Sequence, residues 1–184
     1  MIRRAVPMAL AAFVLAFAAP VAAQEPDNAV SCIYAGFPPE DREIALLLIA
    51  REISQGGDFS ASSRNVASVD ALIDDGLAQC RARFQWAKAR SDAARDFTMT
   101  ALLGEAIDQS LQAGGRTVAP LEKFYRSNPG ALSLRANGSQ MLADFLKSNG
   151  WEQPDEQELV LAGLYVDTLA LKDEARAKFG STKR

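Results

Sequence analysis

The hydrophobic pattern of this chain is helical almost throughout, and it is densest at Ile44-Ala45-Leu46-Leu47-Leu48-Ile49-Ala50. This run is apolar for two full turns, whereas a surface helix shows charge every third or fourth residue. It predicts a helix buried on most sides, a post around which the remaining chain packs. Pro38-Pro39-Glu40-Asp41 opens that helix. A proline in the first turn lacks only an N–H that would go unused, and acids there complement the helix dipole. Gly56-Gly57 closes it, so the helix runs from about Pro39 to Gln55.

From Asn65, the residues Val66, Val69, Ile73, Leu77, Cys80 and Phe84 recur at three- and four-residue steps and form one stripe. Asp70, Asp74 and Asp75 lie early, and Arg81, Arg83, Lys88 and Arg90 lie late, the order the dipole favours. Neither glycine nor proline interrupts Leu77 to Leu103. One helix over Asn65–Ala113 would be on the order of 70 Å long at about 1.5 Å per residue. A compact chain of this size has a radius of gyration of roughly 15 Å, so a break is required. Ser91-Asp92 is the predicted place, because either residue can cap a new helix and the basic run ends there.

The next helix, about Asp92 to Ala113, carries Phe97, Ala101, Gly104, Ile107 and Leu111 on one stripe. Thr117 caps a short helix through about Ser127, and Asn128-Pro129-Gly130 is a turn. Ala131 to Ala136 reads as a loop or a helical turn. Ser139 caps a helix ended by Gly150, and Pro154 to Phe179 forms a last helix that is apolar nearly all round. The pattern predicts an all-α fold, a single-domain bundle of about six helices over residues 24–180 with a polar tail at 181–184.

The first residues change the picture of where this bundle works. Arg3 and Arg4, the apolar Ala5 to Ala19, and the small residues Val21-Ala22-Ala23 have the layout of a cleavable secretory signal over residues 1–23. The expected location is the periplasm or the extracellular space. Cys32 and Cys80 are the only cysteines, and in an exported chain they are expected to form one disulfide. Removing the signal leaves 18 basic against 23 acidic residues. That balance disfavours nucleic acid, whose binding depends on basic phosphate contacts. No later segment is long and apolar enough to span a membrane, and the oligomeric state is left open.

The chain contains no histidine. That removes Ser-His and Cys-His nucleophilic sites, histidine general bases and most zinc sites. No metal or cofactor site is expected. Carboxylates are the remaining acid–base groups, and a pair of them across a cleft can cleave glycosidic bonds. Glu105, beside Gly104 in an apolar helix, and Asp167, on the line Val160, Leu164, Asp167, Leu171, are the two that the pattern places near apolar surface. For each, a structural ion pair is the competing reading. Arg81, Lys88 and Arg95 are spaced by sevens and share a face if the helix is continuous. Such a face suits an anionic envelope surface or an acidic partner; the competing reading is a solvated face. Trp86 and Trp151 are candidate contact residues, because interfaces favour tryptophan and arginine; the competing reading is that both are simply packed, Trp151 as a plug closing the end of the bundle.

Phe124-Tyr125-Arg126-Ser127-Asn128-Pro129, followed by Met141 to Leu146, resembles the later part of small periplasmic immunity proteins that neutralise secreted cell-wall-attacking toxins. The additional cysteines of that group are absent here. The resemblance implies a protein-binding role and carries over no residue. Taken together, the leading expectation is a non-enzymatic binding protein of the periplasm, acting on another protein or an envelope component. The alternatives are a carboxylate-dependent hydrolase or lyase acting on envelope glycans, and a carrier of small apolar ligands.

Overall fold

The computed structural model describes residues 29–56, 63–128 and 138–182. The secretory signal and the segment Ala131–Ala136 lie outside the described residues. Among the described residues, a 3-10 turn at Ala29–Ser31 is followed by seven helices: α1 (Cys32–Ala35), α2 (Pro39–Ser54), α3 (Arg64–Phe84), α4 (Lys88–Ala113), α5 (Ala119–Ser127), α6 (Gly138–Ser148) and α7 (Glu156–Ser181). The fold is an all-α bundle, as the pattern predicts. The helix beyond the expected six is α1, a single turn too short to register as a period.

α4 and α7 form the spine. They run antiparallel, so Arg90 near the start of α4 stacks on Phe179, Arg176 stacks on Phe97, and Gly104 faces Thr168. Two apolar clusters share this spine. One joins α1, α2 and α3 to the first half of α4 and the end of α7. The other joins α5, α6 and Trp151 to the second half of α4 and the start of α7. α7 starts cleanly because Asp155 and Glu158 form a reciprocal capping box, each side chain accepting from the other's backbone N–H at 2.7 and 3.0 Å.

The break between α3 and α4 falls at Gln85–Ala87, earlier than the expected Ser91-Asp92. Gln85 adopts the left-handed conformation at φ 55° and donates its N–H to the Arg81 carbonyl at 2.8 Å. No glycine marks the spot. The turn is held from outside, by Trp86, which packs against Phe84 and Phe179 with ring centroids 5.6 and 5.2 Å away. Ser91 lies inside α4 and donates its hydroxyl to the Ala87 carbonyl.

The disulfide expectation holds: Cys32 and Cys80 are bridged, tying α1 to α3 with Cα atoms 6.2 Å apart. Gly76, one turn before Cys80, makes the approach possible. A Cβ there would lie 3.0 Å from Ile33 Cγ2.

The apolar run in α2 is not a post buried on most sides. Ala45, Leu46 and Ile49 face the core, while Ile44 and Leu47 are 48% and 65% exposed. Among the described residues α2 packs mainly on α3 and α4, and its Ile44–Leu47 side is exposed. Hydropathy counts apolar residues; it does not count the helices available to cover them.

Candidate functional site

The structure scatters the basic set that even spacing suggests. The break at Gln85 leaves Arg81 exposed on α3 and puts Lys88 and Arg95 on α4. Lys88 pairs with Asp92 one turn on, at 2.7 Å. Arg95 turns toward α3 and meets Asp70 at 3.2 Å and Asp74 at 3.4 Å. These contacts are structural, and they leave no shared basic face.

Neither tryptophan is a surface anchor. Trp86 and Trp151 are each only 3% exposed. Trp151 closes the far end of the bundle beneath Arg116, whose guanidinium lies 5.3 Å from the ring centre. Arg116 also grips Glu158 with two bonds of 2.7 and 3.0 Å and donates to the Glu152 carbonyl. That grip holds the Glu158 carboxyl below its usual range. Trp151 sits in a connection, where sequence periodicity says nothing about burial.

Glu105 is engaged. Arg42 donates to Glu105 Oε2 from Nε at 3.0 Å and from Nη2 at 2.7 Å, and the Tyr34 hydroxyl donates to the same oxygen at 2.9 Å. Arg42 also donates to the Tyr34 oxygen at 2.6 Å and lies over its ring. Burial, and then the hydrogen bond to Glu105, push the Tyr34 hydroxyl up from its ordinary value. The cluster locks α1, α2 and α4 together. Glu52, buried in α2, acts similarly by accepting from Ser63 and Asn65 at 2.7 and 2.8 Å.

The arrangement that is not consumed by packing lies on the outside of α4 and α7. Val160, Leu164, Asp167 and Leu171 run along one side of α7 at three- and four-residue steps. Val160 and Leu171 are 63% and 44% exposed, and Leu164 and Asp167 are half-buried. At the Leu171 end the strip opens into a cleft of about 240 Å³ against α4, where Met99 and Thr100 form the facing wall. Asp96, Glu174 and Lys178 stand around it. Lys178 pairs with Glu174 at 2.9 Å. The cleft walls desolvate the Asp96 carboxyl and push it up from its usual range, against the pull of Lys178. Chemically this is a row of apolar side chains interrupted by Asp167, with charged groups at its Leu171 end.

Sequence reasoning found the α7 line through Asp167 but not Asp96 or Met99. Both become part of the strip's surroundings only when α7 docks antiparallel on α4. Among the described residues, no group of three His, Cys, Asp or Glu is placed to hold a metal ion, and no helix is long and apolar enough to cross a membrane. Compared with protein-family models, curated proteins and solved structures, the chain matches none.

Proposed function

We propose that this is an exported, non-enzymatic binding protein of the periplasm that recognises another protein or an envelope component through the α7 strip. The observation that carries the reading is the run of exposed Val160 and Leu171 with Leu164 between them, bordering a cleft. Single exposed apolar side chains are ordinary, whereas exposed apolar residues aligned on one helix side, with Asp167 among them and charge at the Leu171 end, have the mixed character of an interaction surface. Export rests on the secretory layout of residues 1–23, and the Cys32–Cys80 bridge suits an oxidising compartment.

A photo-crosslinking residue placed at Val160 or Leu171 of the exported protein tests this in the cell envelope. Adducts are expected from both positions and none from Ala78, an exposed position on α3. Val160→Lys with Leu171→Lys is expected to abolish capture while leaving the helical circular dichroism unchanged. Equal adducts from all three positions, or none, overturn the proposal.

One observation favours the hydrolase reading as a second possibility: Asp96 and Glu174 line the same cleft. Its weakness is that Glu174 is already engaged by Lys178. Asp96→Asn separates the two, because it removes an acid–base group and leaves the apolar strip intact. Hydrolysis of envelope glycans that disappears in Asp96→Asn would favour the enzyme.

A further inference from the structure

The side of α2 that is exposed among the described residues carries a pattern that the α7 strip lacks. Glu43, Leu47 and Arg51 lie at four-residue steps, all exposed, with exposed Ile44 beside them. The two charges are opposite in sign and equally spaced on either side of Leu47. They are eight residues apart, about 12 Å along the helix, too far to pair with each other. Among the described residues neither makes an ion pair.

A row of this kind is complementary to itself when reversed. We propose that the protein forms a two-fold dimer through antiparallel α2 helices, with Leu47 against Leu47 at the axis and Glu43 of each copy paired with Arg51 of the other. Rows at four-residue steps pack at a crossing angle of about −50°, which aligns the two rows along their length. The parallel arrangement would set like charges together. A two-fold contact uses the same patch on both subunits, and so requires the symmetry seen about Leu47. The dimer also covers Leu47, the most exposed large apolar side chain among the described residues. Because the contact centres on one helix face, the interface is small and the dimer is a weak one. This inference is independent of the α7 strip.

Sedimentation equilibrium of the signal-free protein across the micromolar range tests it. The wild type is expected to pass from monomer to dimer with concentration, and added salt is expected to weaken the dimer. Leu47→Glu is expected to leave only monomer; Leu47 is mostly exposed, so the fold does not depend on it. Glu43→Arg and Arg51→Glu are each expected to weaken self-association at least tenfold. Mixing these two single variants is expected to restore a dimer, because every charge then meets its opposite, and the double variant is expected to dimerise alone. A wild type that stays monomeric, a dimer indifferent to Leu47→Glu, or a mixture that fails to associate overturns the proposal. Crosslinking from Val160 and Leu171 is unaffected by these α2 changes, so failure of the dimer and failure of the proposed partner binding are separately visible.

Discussion

The spine of the molecule depends on the absence of one side chain, and Gly104→Ala tests that dependence. An added Cβ would lie 3.0 Å from Thr168 Oγ1 and 3.7 Å from Thr168 Cβ. Two effects of Gly104→Ala oppose each other. Alanine in a helix interior is favoured over glycine by about 1 kcal/mol. Forcing an extra carbon into a packed contact costs about 1–3 kcal/mol. The second should win, because Thr168 cannot step aside. It is fully buried, its branched side chain is stiff, and its hydroxyl donates to the Tyr165 carbonyl at 2.6 Å. Turning the hydroxyl away would break a buried hydrogen bond, itself worth about 1 kcal/mol. The expected net loss is about 1 kcal/mol, or a Tm about 2–4 °C lower for a chain of this size. In a Thr168→Ala background the obstructing oxygen is gone, and the same Gly104→Ala change should stabilise by about 1 kcal/mol. The coupling is therefore about 2 kcal/mol, well within what contacting residues show. Urea unfolding of the four proteins, followed by circular dichroism, measures it. If Gly104→Ala has the same effect in both backgrounds to within about 0.3 kcal/mol, the close approach of α4 and α7 at this point does not limit packing.

Reducing the Cys32–Cys80 bridge releases a 48-residue separation, for which loop entropy predicts a loss of up to ~4 kcal/mol, read as a lower urea midpoint in reductant. Tyr165 is buried, and that burial, aided by Glu122 and Asp108, pushes its hydroxyl up to about 12. Its raised value means the folded state holds the proton that the unfolded chain releases above about pH 10. Stability should therefore fall as pH rises from about 10 toward 12, and Tyr165→Phe should flatten that fall when urea midpoints of the two proteins are compared at pH 8 and across the alkaline range. Glu52→Ala should cost about 1–3 kcal/mol, because Ser63 and Asn65 lose their shared acceptor; hydrogen exchange should show early loss of protection in the first turn of α3.

Much of the bundle was legible in the chain. The stripe Val66, Val69, Ile73, Leu77, Cys80 and Phe84 named the inner side of α3: four of the six are buried, and Leu77 and Phe84 are half-buried. The proline, glycine and acidic signals placed α2 and α7 to within a few residues, whereas α5 starts at Ala119 behind Val118 and not behind the expected Thr117 cap. Surface and site residues were harder. Spacing by sevens grouped Arg81, Lys88 and Arg95, but the turn at Gln85 separates them, and Arg95 is drawn to Asp70 and Asp74 on the neighbouring helix. That turn has no local signal because its stability comes from Trp86, Phe84 and Phe179, the last of them far along the chain.

By itself, the sequence determined the helical class, most helix boundaries and the pairing of the two cysteines. These follow from local backbone preference, apolar periodicity and the presence of only two thiols. The tertiary structure alone decided which apolar residues stay in water. Leu47 and Ile49 are equally hydrophobic neighbours on α2, yet one is 65% exposed and the other buried. The physical reason is that burial depends on how many helices surround a given side. Among the described residues α4 has α2, α3 and α7 packed around it, whereas α2 packs mainly on α3 and α4. Periodicity tells each helix which side is apolar, and only packing tells it whether anything is there to meet that side.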